Sequence, residues 1–424
     1  MPSSLPTLIT KPVGTVFRRL AIRRRLASTG LYETDWVDIT RYVKNWGTIA
    51  AVIDDVQLNK FTNAGFSVSV RNDDGAFNPE SNPVSLWFGY LTRYRTLVRV
   101  QAGYEDEAGN ELPTDTTVGV FLLDGEIAIS AVSNDAILSC KSLSSVFDEV
   151  RVRDVPGLNS TLTATEIIGK IRDHSDGAGL AIFKTFVTAT SWTIQTTSTN
   201  YTLNTTTALE DSSCWALMGK IAEAESYILL INRLGGVEFR DRDERTTTAA
   251  YTLYGQGFPR QNIISLTDYR EALDKYYTFF RFQWKSEDTA TSYVTAGTST
   301  AISPANLSWK YGARVYEFEN LFFATSTIAQ TVVDRLYTEF SVIKEELTLK
   351  AKFIPDIEIS DRVDLYYRSY DIAAVSVWDG FFWDEANWAE DVGENFEWSG
   401  VAFKVLSRRH DLEQFTTELR LRAI

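Results

Sequence analysis

The stretch from Asn72 to Tyr104 constrains the fold of this 424-residue chain more than any other. Apolar and polar residues alternate in FSVSVRN at 66–72 and in LVRVQAGY at 97–104, which is the period of a half-buried β-strand. Between these runs, NDDG is typical of a tight turn, and the prolines of NPESNP break the chain before an aromatic loop. We therefore predict a strand, a turn, a loop and a second strand, which need further strands to complete a sheet.

The turn in this stretch has some features of a calcium-binding loop. Asn72, Asp73 and Asp74 precede Gly75, but the ligand spacing is incomplete and no glutamate occupies the twelfth position. Short acidic and amide side chains also stabilise turns by hydrogen bonding to nearby backbone N–H groups. We therefore predict a turn with such hydrogen bonds and no metal site.

The rest of the chain predicts a β-rich α+β fold. Strand patterns return in FLLDGEIAIS at 121–130 and in DAILSCKSL at 135–143, with a turn at 133–135. Changes in pattern along the chain divide it into segments. The predicted segments are an extended N-terminal arm at 1–31, a β-rich domain at 32–150, an α+β domain at 151–248 and a second β-rich domain at 249–424.

Helical periodicity is confined to three places. A threonine cap followed by a glutamate three residues later starts a helix within 163–177, which Gly177 should stop. A second helix follows Ser213 and leads into a hairpin through Gly235 and Gly236, and a third spans 324–341. The threonine-rich segment at 185–207 is predicted to be a β-hairpin, because threonine suits strands.

Composition limits the classes of function. The formal net charge is -14, which argues against specific nucleic-acid binding, because such binding depends on neutralising phosphates. The arginine-rich run at 18–25 is the exception, and either an acidic protein neighbour or DNA would satisfy it. Cys140 and Cys214 both lie in apolar sequence, so we predict buried free thiols, with a single disulfide as the alternative.

Nothing in the sequence indicates an enzyme or a cofactor. Motifs of zinc peptidases, serine hydrolases and phosphate-binding loops do not occur. The two histidines, His174 and His410, are predicted to be polar surface or cap residues. No run of about 18 apolar residues occurs, so no membrane anchor is predicted, and the arginines near the start lack the apolar segment of a secretory signal.

A tryptophan-rich acidic insert at 377–400 stands apart from the surrounding strand patterns. Three of its tryptophans recur every five residues, a period that suits neither a helix nor a strand, and a fourth follows Gly393. The insert either packs on its own domain, anchors a partner protein or offers a platform for carbohydrate. The residues predicted for a partner interface are Trp378, Trp383, Trp388, Trp398, Arg23, Arg24 and Arg25.

Several segments, taken in chain order, resemble those of the baseplate or tail hub proteins of tailed phages. The similar segments are VDIT at 37–40, the stretch at 66–100, the hairpin at 119–147, the helix and hairpin at 212–242, the helix at 324–340, the strand at 357–367 and the closing hairpin at 403–422. Ser360 stands where the pattern of that family has glycine.

The resemblance implies two tube-like β-barrel domains with smaller α+β domains, and a structural role without catalysis. It implies a homotrimeric hub in the phage tail tip that lines the DNA channel and is assembled in the host cytoplasm. The implied partners are the tail tube or distal tail ring, the tip, fibre or spike proteins and the tape measure protein. Three alternatives stay open from the sequence: a hexameric distal tail or tube-adaptor ring, a receptor- or glycan-binding tail protein, and a cell-wall hydrolase.

Overall fold

A computed structural model describes most of the chain. The described residues are 15–24, 32–54, 60–63, 65–78, 96–124, 127–130, 133–158, 161–174, 192–202, 211–285, 289–297, 312–320, 325–368 and 397–424.

Strands dominate these ranges. The strands are Thr15–Arg24 (β1), Val37–Asp38 (β2), Val43–Asn45 (β3), Thr48–Asp54 (β4), Lys60–Asn63 (β5), Phe66–Arg71 (β6), Thr96–Glu105 (β7), Glu111–Leu112 (β8), Thr117–Leu123 (β9), Ala128–Ile129 (β10), Asp135–Lys141 (β11), Thr161–Thr163 (β12), Thr193–Ile194 (β13), Asn200–Thr202 (β14), Tyr227–Ile231 (β15), Val237–Asp241 (β16), Ala249–Tyr254 (β17), Ile263–Glu271 (β18), Phe279–Gln283 (β19), Tyr293–Gly297 (β20), Val315–Glu319 (β21), Glu345–Lys352 (β22), Arg362–Arg368 (β23), Glu397–Asp411 (β24) and Thr416–Ala423 (β25). The α-helices are Ser144–Glu149 (α1), Ala164–Arg172 (α2), Cys214–Glu225 (α3) and Ser326–Phe340 (α4).

The first large sheet has the strand order β2-β1-β7-β9-β11-β6-β3, with β8 added to β7 and β10 to β11. Its two long strands, β1 and β7, are antiparallel over ten residue pairs, from Thr15 opposite Glu105 to Arg24 opposite Thr96. Every residue of β9 is buried. Since successive side chains of a strand point to opposite faces, both faces of this sheet are covered.

The second large sheet has the strand order β17-β23-β24-β25-β22-β18. Its longest strand, β24, pairs with β25 along one edge and successively with β23 and β4 along the other. Along this other edge, the first part of β24 pairs with β23. The last five residues of β24, Ser407 to Asp411, pair with β4. A strand from early in the sequence therefore completes a sheet formed by the end of the sequence.

The β4–β5 hairpin crosses from the first sheet to the second at two glycines. β3 and β6 lie in the first sheet, whereas β4 and β5 lie in the second. At Gly47, before β4, a Cβ atom would lie 2.0 Å from the carbonyl oxygen of Ser67. At Gly65, before β6, a Cβ atom would lie 2.6 Å from the carbonyl oxygen of Cys140. Both crossings bring backbones closer than any side chain allows.

Two hydrophobic cores hold the described residues together. The first lies between the two large sheets and contains, for example, Val98 and Val100 of β7 with Leu347 and Leu419 of the second sheet. The second lies on the other face of the first sheet, where Leu97 and Leu122 pack on helices α1 to α4 and on the small sheets around β16 and β19. The first sheet is therefore the middle layer of the fold.

The predicted β-rich α+β fold class is confirmed, and the three predicted helices form. Helix α2 begins with a capping box, in which the Glu166 N–H donates to Thr163 Oγ1 at 3.2 Å and the Thr163 N–H donates to the Glu166 carboxylate at 2.7 Å. It ends at Arg172, and the predicted stop at Gly177 lies outside the described residues. The predicted hairpin through Gly235 and Gly236 is the antiparallel pair β15–β16.

In two segments the described residues differ from what the local pattern indicates. Residues 15–24 of the predicted N-terminal arm form strand β1, because Leu20 and Ile22 are buried in the first core and the strand completes a ladder with β7. Residues 192–202 of the threonine-rich segment contain strands β13 and β14, which do not pair with each other, and the rest of that segment lies outside the described residues. β13 pairs in parallel with β16, and β14 pairs with β12, since strand propensity does not specify the partner.

The predicted domain boundaries near 150 and 248 stay a prediction. The cores are shared across them: β4 and β5 from the first predicted domain lie in the second large sheet. Residues 280–340 of the last predicted domain contribute Phe280, Phe282 and α4 to the core of residues 143–239. Cores built from distant parts of the chain make the described regions interdependent.

Candidate functional site

Trp398, one of the four tryptophans predicted at a partner interface, lies inside its own protein. It is 4% exposed and packs against Tyr269, Tyr367 and Phe403. Its indole N–H donates to a Glu345 carboxylate oxygen at 3.0 Å. Trp398 therefore packs within its own chain, which is one of the alternatives predicted for the insert. The other three tryptophans, Trp378, Trp383 and Trp388, lie outside the described residues.

The arginines of β1 make contacts within the chain. Arg24 forms a 2.6 Å ion pair with Glu33, and Arg23 donates to the Glu33 carbonyl oxygen. Arg18 reaches the second sheet, where it donates to the Leu412 carbonyl oxygen at 2.5 Å. The acidic neighbour predicted for this cluster is thus supplied by the same chain for Arg24, and Arg25 lies outside the described residues.

A network of buried charges joins the small sheet around β16 to the second large sheet. One half of it centres on Glu358, which is 6% exposed. Its carboxylate accepts from Arg408 of β24 at 3.0 Å and from the Arg233 backbone N–H at 3.0 Å. Burial raises the pKa of Glu358, and the Arg408 charge opposes that rise.

The other half of the network centres on Glu238 of β16. Its carboxylate lies 3.1 Å from Arg240 and 2.7 Å from Arg245. Arg245 also pairs with Asp361 at 3.3 Å, and Arg240 donates to the Ile359 carbonyl oxygen at 3.0 Å. Both contacts end in the loop that leads into β23, so the two halves of the network meet in that loop.

Buried ion pairs of this kind define orientation more than they add stability. Removing one partner leaves an uncompensated charge and costs about 3–5 kcal/mol, whereas intact buried pairs roughly offset their own desolvation. The network therefore links the small sheet around β16 to the second large sheet through β24 and the loop before β23. Sequence reasoning missed it, although Glu238 and Arg240 alternate with apolar residues in a strand that is buried on both faces.

The predicted surface or cap position is wrong for His410. His410 is not a surface or cap residue: it is completely buried on β24, where it packs on Phe353. Its Nδ1 lies 3.0 Å from Thr417 Oγ1. Burial lowers the pKa of His410 well below its usual value, and the Arg408 charge lowers it further. The long strand β24 carries residue 410 into the core because β4 covers its last residues.

The predicted buried free thiols and the predicted side-chain hydrogen bonds of the NDDG turn are confirmed. Cys140 and Cys214 are buried free thiols. In the turn, the Phe77 N–H donates to Asn72 Oδ1 at 2.8 Å, and the Ala76 N–H donates to Asp74 Oδ1 at 3.0 Å. These side-chain oxygens thus cap the backbone of the turn, as predicted.

Two kinds of site, a metal cluster and a membrane-spanning helix, do not occur among the described residues. In those ranges, no group of three or more histidine, cysteine, aspartate or glutamate side chains is arranged to hold a metal ion. Likewise, none of the helices that the structure describes is long and apolar enough to cross a membrane.

Solved structures with the same fold are phage tail proteins. A tail protein from Neisseria meningitidis matches with a TM-score of 0.52 and 13% sequence identity, over 96% of this chain and 96% of that chain. A prophage tail protein from Listeria monocytogenes matches with a TM-score of 0.50 and 11% identity, over 95% of this chain and 94% of that chain. The chain therefore has the fold of phage tail proteins along nearly its whole length.

The sequence comparisons are negative: no protein-family model matches the chain, and no curated protein matches it in sequence. The resemblance predicted from ordered segments is confirmed at the level of the fold by the structural matches. Fold alone does not specify function, since one fold hosts many.

Proposed function

We propose that this protein is a structural component of a phage tail, and specifically the homotrimeric hub of the tail tip. The observation that carries the proposal is the match of almost the entire chain to two phage tail proteins, together with the order of the segments at 37–40, 66–100 and 403–422. The hub would join the tail tube or distal tail ring to the tip, fibre or spike proteins, contact the tape measure protein and line the DNA channel of the virion.

The organisation of the two large sheets supports a mechanical role. The β4–β5 hairpin and the buried charge network both tie the second sheet to other parts of the chain, which makes a frame able to hold its shape under load. An acidic chain also suits a channel wall along which DNA slides without binding.

Edge strand β18 offers a surface for contact between copies. Among the described residues, β18 is the outermost strand at one edge of the second sheet. Its residue Ile264 is 55% exposed. Exposed edge strands present backbone groups that a strand of another chain can pair with. We propose this edge as one contact of the ring.

The mass of the assembled protein tests the proposal. Purified protein, or tail tips released from virions, should give a particle of three times the chain mass by native mass spectrometry. Electron microscopy should show a closed ring. A plain monomer at all concentrations, with no ring in tail tips, would contradict the hub.

Copy number also distinguishes the hub from one alternative, because six copies would indicate the distal tail or tube-adaptor ring.

The tryptophan-rich insert tests the receptor-binding alternative. Deleting 378–396 keeps the buried Trp398, and should abolish adsorption but leave tails intact if the insert binds a receptor. Loss of tail assembly would instead place Trp378, Trp383 and Trp388 at a contact with another tail protein.

A further inference from the structure

A cavity of about 470 Å³ lies where the end of helix α4 meets strands β24 and β25. Its wall is unusual for an acidic protein, since four cationic side chains face two carboxylates. The charged residues that line it are Arg335, Lys344, Lys404, Arg422, Asp243 and Glu339. The cavity therefore carries an excess of positive charge on a chain whose net charge is -14.

The sheet register holds like charges together in this wall. Lys404 of β24 stands directly opposite Arg422 of β25. Directly opposed side chains of an antiparallel pair lie on the same face, and like charges there destabilise the pair. Lys404 and Arg422 therefore repel each other, and an anion beside them would reduce that repulsion.

The carboxylates of the cavity only partly offset this charge. Asp243 lies 3.6 Å from Lys404 Nζ, and Glu339 lies 4.0 Å from Arg422 and 3.8 Å from Arg242. These distances exceed the roughly 2.7–2.9 Å of a charge-assisted hydrogen bond. Asp243 is also engaged by Arg335. Both carboxylates are therefore shared among several cations.

Lys404 supplies a second and independent sign of a ligand. The residue is 6% exposed, and its Nζ, although buried, has no hydrogen-bond acceptor among the described residues. A buried ammonium normally keeps hydrogen-bonded partners, because desolvating a charge is costly. Because Lys404 lines the cavity, an anion inside it could accept from this nitrogen.

We propose that this cavity binds an oxyanion, a phosphate or carboxylate group, held by Lys344, Lys404 and Arg422. The group could belong to a free anion or to an acidic side chain of a neighbouring chain, and both present the same oxygen acceptors. The proposal does not depend on the hub assignment, because the isolated chain contains the entire cavity.

Thermal unfolding of the full chain tests the site with inorganic phosphate as the probe. Replacing chloride by millimolar phosphate at constant pH and ionic strength should raise the melting temperature saturably, by roughly 1–3 °C. Lys404→Met should abolish the rise, because it removes the buried ammonium that an anion in the cavity would contact. Lys344→Met provides a second variant at the cavity edge.

Lys350→Met is the matched control. It removes the same charge from strand β22 of the same sheet, where Lys350 Nζ donates to Gln414 Oε1 at 2.5 Å. The control should keep the phosphate effect. Phosphate also stabilises proteins non-specifically, so an equal rise in all three variants would overturn the proposal, as would no rise in the natural protein.

Isothermal titration with a capped hexaglutamate peptide separates the two sources of the anion. Peptide binding that phosphate displaces and Lys404→Met removes would indicate an acidic segment of a neighbouring chain. Phosphate binding without peptide binding would indicate a free anion. Peptide binding that is indifferent to Lys404→Met would contradict the assignment of the site to this cavity.

Discussion

At the scale of the single residue, Ser360 shows how a departure from a familiar pattern is accommodated. It stands where the resembling family has glycine, and its φ of 67° is in the left-handed region that favours glycine. The residue is completely buried, and its hydroxyl has no hydrogen-bond partner among the described residues. Its N–H still donates to the Val405 carbonyl oxygen at 2.9 Å, which holds the turn in place.

Ser360→Gly should therefore stabilise the protein. Relief of the left-handed strain and loss of a buried hydroxyl outweigh the greater freedom of glycine in the unfolded chain, and we expect a gain of about 1 kcal/mol in the free energy of unfolding. Denaturant titration measures it. Ser360→Ala removes only the hydroxyl and keeps the strain, so it should gain less than glycine. A Ser360→Gly protein that is less stable than the natural one would refute this account.

His410 should make stability depend on pH. Its folded pKa is depressed by burial, so the unfolded chain, whose histidine pKa is about 6.5, takes up the proton first. The stability that the neutral, buried imidazole contributes is fully present above about pH 6.5. It is lost at up to about 1.4 kcal/mol per pH unit as the pH falls towards the folded pKa. Denaturation between pH 7 and pH 5 should show this slope, and His410→Gln should reduce it.

The matched control for that slope is His174→Gln, which replaces the only other histidine of the chain. It should leave the slope in place. If instead the His410→Gln protein keeps the full slope, some other group with a similar titration range must cause it.

At the scale of the secondary-structure element, the crossing of the β4–β5 hairpin depends on glycine. Gly47→Ala would place a methyl group 2.0 Å from the Ser67 carbonyl oxygen, which belongs to a backbone paired in the first sheet. We expect a loss of at least about 2 kcal/mol in the free energy of unfolding, because backbone atoms must move. The measurement is denaturant titration followed by circular dichroism.

Gly169→Ala is the matched control for that substitution. Gly169 lies within helix α2, and a Cβ atom there would meet nothing within 4 Å. The same chemical change should stabilise the protein by up to about 1 kcal/mol, because alanine is the better helix former. A loss of stability for Gly47→Ala together with a gain for Gly169→Ala would support the close backbone contact at Gly47. A Gly47→Ala protein as stable as the natural one would show that the two backbones can move apart at this point.

At the scale of the whole molecule, charge should control assembly. Each copy carries a formal charge of -14, so copies in a ring repel one another until salt screens them. The screening length is about 8 Å at physiological ionic strength and shortens as salt is added. If the chain forms the proposed trimer, light scattering should show more trimer as sodium chloride rises. A trimer that dissociates with salt would mean that ion pairs between copies hold the ring.

The local elements and the general fold class could be predicted from the amino-acid sequence. Alternation predicted strands on both sides of the NDDG turn, a capping pattern predicted α2, and an apolar stripe predicted α4. The order of segments predicted the fold of a phage tail protein. These features depend on neighbours close in the chain, so short windows of sequence contain the information.

Strand pairing and the contacts between buried charges depend on long-range packing, and the three-dimensional structure was needed to see them. β4 joins β24 across more than 350 residues, and Glu238 of β16 shares a network with Asp361 and Arg408. His410 lies in the core because a distant strand covers it. Strand propensity does not specify which strand will pair with which. A buried charge usually lies where a residue of opposite charge packs against it, and that residue can be distant in the sequence. Neither strand pairing nor buried ion pairs can therefore be deduced from local pattern.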